Sequence, residues 1–226
     1  MIYAAAVSPR TARLLVLPFA LAACALDFAT HLWIQPLAWR LGSGNLAFVT
    51  AMAILAASAF LPLGLYLLVA RRARKPPAVW QRPGAGPVFS AGPAARVSLI
   101  WVGWVIGSVV PTERVPNEAR ARLVEIDPVV TVFLVIGLLT LILLVVTALS
   151  DRPVLELTPD GITGRDLLRR RRAGWDDEPF KTPRWLHIDP AFLAFTLDFY
   201  RTRPERRAEI GTEAGAAALA AAYRPA

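Results

Sequence analysis

Two ionisable residues, Asp27 and His31, lie four positions apart inside the apolar run from Leu14 to Ile34. On a helix that spacing stacks them on one face, within hydrogen-bonding reach. Ionisable groups inside a membrane span are costly to bury and recur in proton relays and ligand pockets, and a carboxylate beside an imidazole can orient it as a metal ligand. Two groups alone make neither a relay nor a metal site. The plainer alternative is a polar pair near the outer headgroups, with Asp27 bonded to His31 or to a neighbouring helix. His187 and Asp189 form a second pair, just ahead of a helix. They lack further partners, because the only other histidine, His31, falls on the far side of the bilayer, so they read as a loop histidine beside a helix cap. Arg169, Arg170, Arg171 and Arg172 make the densest charge run in the chain. Near an anionic leaflet each such residue contributes about 1 kcal/mol. The alternative is a solvated segment neutralised by Asp166, Asp176, Asp177 and Glu178. The chain has no phosphate-binding glycine loop, nucleophile elbow or metalloprotease helix. No catalytic residue, metal site or cofactor is therefore expected. The single cysteine, Cys24, permits no internal disulfide.

The elements that must position these groups are membrane helices. Of 226 residues 55% are hydrophobic and only 19% charged, with mean hydropathy +0.46, which is too apolar for an ordinary soluble domain. Residues 128–149 contain no charge, and at about 1.5 Å per residue a helix of that length crosses a core of roughly 30 Å. Asp127 and Pro128 stand at its start as a capping carboxylate and a proline that loses no hydrogen bond there. Further spans are expected at about 14–34, 46–70 and 94–111, with Pro62 kinking the second. The sequence Leu21-Ala22-Ala23-Cys24 is similar to a lipoprotein lipobox, but the apolar run continues past it, so Cys24 reads as a residue within a helix. Gly103 and Gly107 form a Gly-x-x-x-Gly pair, expected to seat the third span within its own bundle in preference to a dimer. Residues 76–96, rich in proline, glycine and arginine, read as an irregular basic loop.

The net charge of +8 does not point to nucleic acid, because the excess flanks apolar runs, where it sets orientation. Eight basic residues (Arg10, Arg13, Arg71, Arg72, Arg74, Lys75, Arg82, Arg96) lie on one side, against four (Arg40, Arg114, Arg120, Arg122) on the other. The richer side is cytoplasmic. Both termini are then cytoplasmic and the 35–45 and 112–127 loops are outside, where Glu113, Glu118, Glu125 and Asp127 offset arginines.

Beyond Leu149 the text turns polar. Val154 to Thr158, Pro159-Asp160-Gly161 and Ile162 to Arg165 read as a hairpin in which Gly161 supplies positive φ. Leu167 to Arg172 leads into another strand ending near Trp175, followed by Asp176 and Asp177. The order LELTPDGITGR, a basic run, then GWDD resembles the strand-turn-strand core of bacterial PH-like domains found on integral membrane proteins. The resemblance covers residues 152–178, about one eighth of the chain. It implies membrane-proximal binding or scaffolding and carries over no catalytic residue. A full PH-like barrel needs about seven strands and a closing helix, whereas helix-like text follows Pro179, so a reduced version is expected. Asp189 before Pro190 opens a helix over 190–202, apolar around much of its circumference, and Pro204 opens another over 204–222, weakened by Gly211 and Gly215. The segment from His187 to Ala214 resembles the C-terminal extension of such proteins.

The expected fold class is an α-helical membrane protein: a four-helix transmembrane domain, 1–150, then a small cytoplasmic α+β tail, 151–226. The leading functional expectation is a multi-pass inner-membrane protein, non-enzymatic, acting in interaction or scaffolding. Its tail binds a protein partner or anionic lipid headgroups through Arg169 to Arg172 and Trp175. The second is a small transporter or channel subunit using Asp27 and His31. Membrane lipids are the expected partners, and a homo-oligomer is compatible with the sequence.

Overall fold

Ser8 stands in extended backbone ahead of Pro9, and its hydroxyl accepts a hydrogen bond from the Thr11 amide at 3.1 Å. This cap starts the first helix, five residues ahead of the expected position, so Arg10 and Arg13 lie inside it. The computed structural model describes residues 8–38, 40, 44–81, 86–109, 112–114, 121–123, 128–150, 152–165, 169–177, 180–183 and 185–224. The helices are α1 (Pro9–Ala29), α2 (Gln35–Ala38), α3 (Gly44–Val69), α4 (Ser98–Val109), α5 (Pro128–Leu149), α6 (Pro190–Thr202) and α7 (Glu213–Ala222). The strands are β1 (Phe89–Ala91), β2 (Thr112–Arg114), β3 (Ala121–Leu123), β4 (Leu155–Thr158), β5 (Gly161–Arg165) and β6 (Arg170–Ala173). Asp127, Arg82, Glu118, Arg120, Glu125, Asp166 and Glu178, which entered the sequence reading, lie outside the described residues.

The chain forms two units, one of residues 1–71 and 96–149, the other of 72–95 and 150–226. The second therefore takes in most of the expected loop together with the tail, so the division between Leu149 and Ser150 is joined by two more, at 71–72 and 95–96.

In the first unit α1 and α3 bury sides made largely of small residues. α1 buries Ala12, Val16, Ala20, Ala23 and Asp27, and α3 buries Ala47, Ala51, Ser58, Ala59, Pro62 and Tyr66. Large apolar side chains point outward: Leu46, Phe48, Phe60, Leu61 and Leu68 are all more than half exposed. That inversion suits a bundle packed in lipid, where small residues let backbones approach and large ones face hydrocarbon. α1 continues through a π-helical turn, Thr30–Ile34, into α2. Among the described residues three helices are long and apolar enough to cross a membrane: Pro9–Ala38, Gly44–Val69 and Pro128–Val146. α4 holds only 12 residues, about 18 Å at 1.5 Å per residue, and is shorter than the span expected over 94–111. α1 and α4 run parallel, since Gly103 meets Ala20 and Gly107 meets Cys24 and Asp27. α3 runs antiparallel to both: the Tyr66 hydroxyl donates to the Ala12 carbonyl at 3.1 Å, and the Phe60 and Trp101 rings sit 5.5 Å apart. β2 and β3 form a short hairpin between α4 and α5.

The second unit is a four-stranded antiparallel sheet in the order β1-β4-β5-β6, with α6 packed in its core. The hairpin β4–β5 forms as expected, pairing Thr158 with Gly161. Gly161 has φ +157, and a Cβ there would collide with the Ala173 carbonyl. β6 ends at Ala173, two residues before Trp175. β1 was not foreseen. It pairs Phe89 with Leu157 and Ala91 with Leu155, and all three of its residues are buried. Trp80 joins the same core, stacking on Phe89 at 6.0 Å and donating from Nε1 to Thr196 Oγ1 at 3.2 Å. α6 has the expected bounds, and Asp189 caps it, accepting from the Phe192 amide at 2.8 Å. The helix expected over 204–222 is instead a 3-10 segment, Pro204–Glu209, followed by α7. The break falls at Gly211, whose φ of +83 belongs to the left-handed region and whose missing Cβ would strike the Pro87–Val88 backbone.

Tyr200 is wholly buried in this core, and its hydroxyl finds no partner among the described residues. Burial first, then the charge of Glu209, pushes its phenol up from 10.0 to about 12, with Arg206 opposing. The fold thus favours the neutral ring: its stability is whole below pH 10 and falls as pH rises from 10 to about 12. Denaturation followed by tryptophan fluorescence should show a loss of about 2–3 kcal/mol across that range. Tyr200→Phe should remove that component.

Candidate functional site

Asp27 occupies the last buried position of the α1 stripe and is 0% exposed. A carboxylate reaches that depth only if its oxygens are satisfied. α3 and α4 supply the donors. Ser58 Oγ donates to Asp27 Oδ1 at 2.8 Å, and Ser108 Oγ donates to Oδ2 at 2.6 Å. Trp104 Nε1 donates to Ser58 Oγ at 3.0 Å, which fixes that hydroxyl. His31 completes the cluster, its Nδ1 lying 3.0 Å from the Asp27 carbonyl and 3.5 Å from Oδ2. The expected Asp27–His31 proximity is therefore present. Two serines and a tryptophan that the spacing did not reveal are added to it.

The close approach of α4 makes the cluster. A Cβ on Gly107 would lie 2.6 Å from the Cys24 carbonyl and 3.1 Å from Asp27 Cβ, and a Cβ on Gly103 would overlap the Ala20 carbonyl. Both glycines face α1 within the same unit. His31 sits in the π-helical turn Thr30–Ile34, where Thr30 Oγ1 donates back to the Leu26 carbonyl at 2.8 Å. Such wide turns recur at functional positions in helices.

The hydroxyl network accepts Asp27 in either protonation state. Ser58 Oγ also lies 2.7 Å from the Leu55 carbonyl, and Ser108 Oγ lies 3.3 Å from the Trp104 carbonyl. Each serine has one hydrogen, which goes to the carboxylate when Asp27 is ionised. When Asp27 carries a proton it can donate to one serine, whose own hydrogen then turns to a backbone carbonyl.

In the second unit Arg169 to Arg172 are exposed on and just before β6. None of the four has an ion-pair partner among the described residues. Of the acids expected to neutralise them, Asp176 accepts from Arg207 Nη2 at 3.4 Å and Asp177 accepts from the Gly174 amide, while Asp166 and Glu178 lie outside the described residues. Trp175 is not available for contact with lipid or a partner. It is 3% exposed, donates from Nε1 to the Thr158 and Pro159 carbonyls at 3.1 and 3.0 Å, and packs on Tyr200. The hairpin turn needs that donor, so the indole is drawn inward. Asp189 is occupied as the α6 cap. No group of three or more metal-ligating side chains occurs among the described residues.

The chain matches no family model, curated protein or solved structure. The functional reading therefore rests on the two constellations themselves.

Removing the Asp27 carboxylate should loosen the junction of α1, α3 and α4. Asp27→Ala should cost about 1–3 kcal/mol, while Asp27→Asn, which keeps the shape and one acceptor, should cost about 1 kcal/mol or less. Detergent unfolding of the purified protein, followed by the loss of helical circular dichroism, measures both. Gly107→Val should be at least as damaging as Asp27→Ala, because its side chain forces the backbones apart.

Proposed function

We propose that the chain is a membrane-anchored, non-enzymatic interaction protein whose second unit docks on an anionic bilayer surface. The unpaired arginine run on the sheet edge carries this reading. Four adjacent guanidinium groups without partners among the described residues gain most where acidic headgroups concentrate. In the tail as a whole, thirteen basic residues against twelve acidic ones make the attraction local to β6. The order hairpin, basic strand, buried tryptophan and closing helix supports reading this unit as a reduced PH-like module.

Four crossings with both termini cytoplasmic fit this role. α4 contributes the fourth: it runs parallel to α1 and antiparallel to α3, so its ends point to opposite ends of the bundle. Its 12 residues are accommodated by flanking residues and by local thinning of the bilayer, at fractions of a kcal/mol per Å. The excess of arginine and lysine at the N-terminus and over 71–96 supports a cytoplasmic second unit.

Hydrogen exchange of the full chain in nanodiscs tests the docking. Amides 169–173 should exchange more slowly in phosphatidylglycerol-containing discs than in phosphatidylcholine, and the difference should vanish when Arg169 to Arg172 are all changed to Gln. Equal exchange in both lipids would reject the reading.

The Asp27 cluster favours a second reading, a small transporter or channel subunit, because its hydrogen bonds can rearrange around a proton. Proton flux into vesicles carrying the purified chain, abolished by Asp27→Asn, would be its signature. Flux indistinguishable from empty vesicles would remove it.

A further inference from the structure

The four arginines are not equivalent. Strand alternation puts Arg170 and Arg172 on one face of the sheet and Arg171 on the other. A cavity of about 430 Å³ borders Arg170 and Arg172, and its walls also hold Glu156, Asp160 and Asp177. Positive and negative groups mix there, so it offers an anion no net advantage.

Arg171 faces a different space. Its cross-strand partner is Gly164, and the two share a concave site of about 180 Å³ with Phe180, Lys181, Thr182, Pro183 and Trp185. The described residues lining it bring two cations and a hydroxyl but no carboxylate. Gly164 forms the floor: a Cβ on it would lie 2.5 Å from Phe180 Cζ, so a larger residue would push that ring. Trp185 is 39% exposed at the rim, an amphipathic ring of the kind that settles at headgroup level. The volume is below the roughly 300 Å³ at which pockets begin to hold whole metabolites, and suits one small anionic group.

We propose that this site binds a phosphate monoester. The planar fork of Arg171 meets two phosphate oxygens at once, Lys181 adds a compact charge, and the Thr182 hydroxyl donates a third contact. A monoester fits better than a diester, because it carries up to two charges and three free oxygens for this set of donors. The group is either the headgroup of a phosphatidic-acid-like lipid or a soluble phosphate. The proposal deepens the anionic docking above and rests on it for the lipid source, but the site itself depends on Arg171 and Lys181 alone.

The full chain in nanodiscs tests it through hydrogen exchange over residues 164–185. At matched surface charge, phosphatidic acid should protect this segment more than phosphatidylglycerol. Arg171→Gln and Lys181→Gln should each weaken phosphatidic acid binding about tenfold and erase that preference, while Arg170→Gln with Arg172→Gln should leave it. In phosphatidylcholine discs, protection by inorganic phosphate would support the site and mark the source as soluble, whereas protection by phosphatidic acid alone would support it and mark the source as lipid. Equal response to the two acidic lipids with none to inorganic phosphate would overturn the proposal, as would an unchanged Arg171→Gln, Lys181→Gln double variant. Preference for phosphatidic acid without any response to phosphatidylglycerol would remove general anionic docking and leave this site standing. Unaltered protection of α6 in each variant controls for folding.

Discussion

The packing of α1 against α4 at Gly103 and Gly107 is the constraint on which the first unit depends. Neither position has room for a Cβ. In lipid there is no water to expel between helices, so association draws on van der Waals contact and on hydrogen bonds that close approach permits. Two missing methyl groups bring the backbones together, and the same approach brings Ser108 to Asp27 at 2.6 Å. Ser58 and Trp104 then tie α3 to the same point. One polar knot, reached from three helices, sets the register of α1, α3 and α4 together with the Tyr66–Ala12 bond.

The second unit is organised by aromatic rings in place of small residues. Trp80, Phe89, Trp175, Phe192, Phe199 and Tyr200 are all buried, and the sheet is only four strands wide. Residues 72–95, separated from the rest of the unit by two helices in sequence, contribute Trp80 and an edge strand to it. With the interior filled by rings, what remains exposed on β6 is charge.

The long apolar helices were legible in the sequence because length and hydropathy alone define them, and α6 was legible because Asp189-Pro190 marks its start. The β4–β5 hairpin announced itself by Pro159-Asp160-Gly161. β1 did not, since a strand of three residues, Phe89–Ala91, is too short to show a period of two, and its partner strand lies more than sixty positions on. The break at Gly211 depends on the backbone of Val88, which no local pattern encodes. For the candidate site, the i, i+4 spacing brought out Asp27 and His31. Ser58 and Ser108 reach Asp27 across 31 and 81 positions and become visible only when the helices are packed. Trp175 was misread for the same reason: a tryptophan beside a basic run suits an interface, and only the fold shows its indole serving the hairpin turn.

The proposed arrangement is a bundle that crosses the bilayer four times, with the second unit on the cytoplasmic side. In a Cys24→Ser background, single cysteines at Glu113→Cys, on the β2–β3 hairpin, and at Thr163→Cys, on β5, can be probed in intact cells with a membrane-impermeant maleimide. The account predicts labelling of Glu113→Cys from outside and of Thr163→Cys only after the membrane is opened. Labelling of both positions from the same side would contradict it.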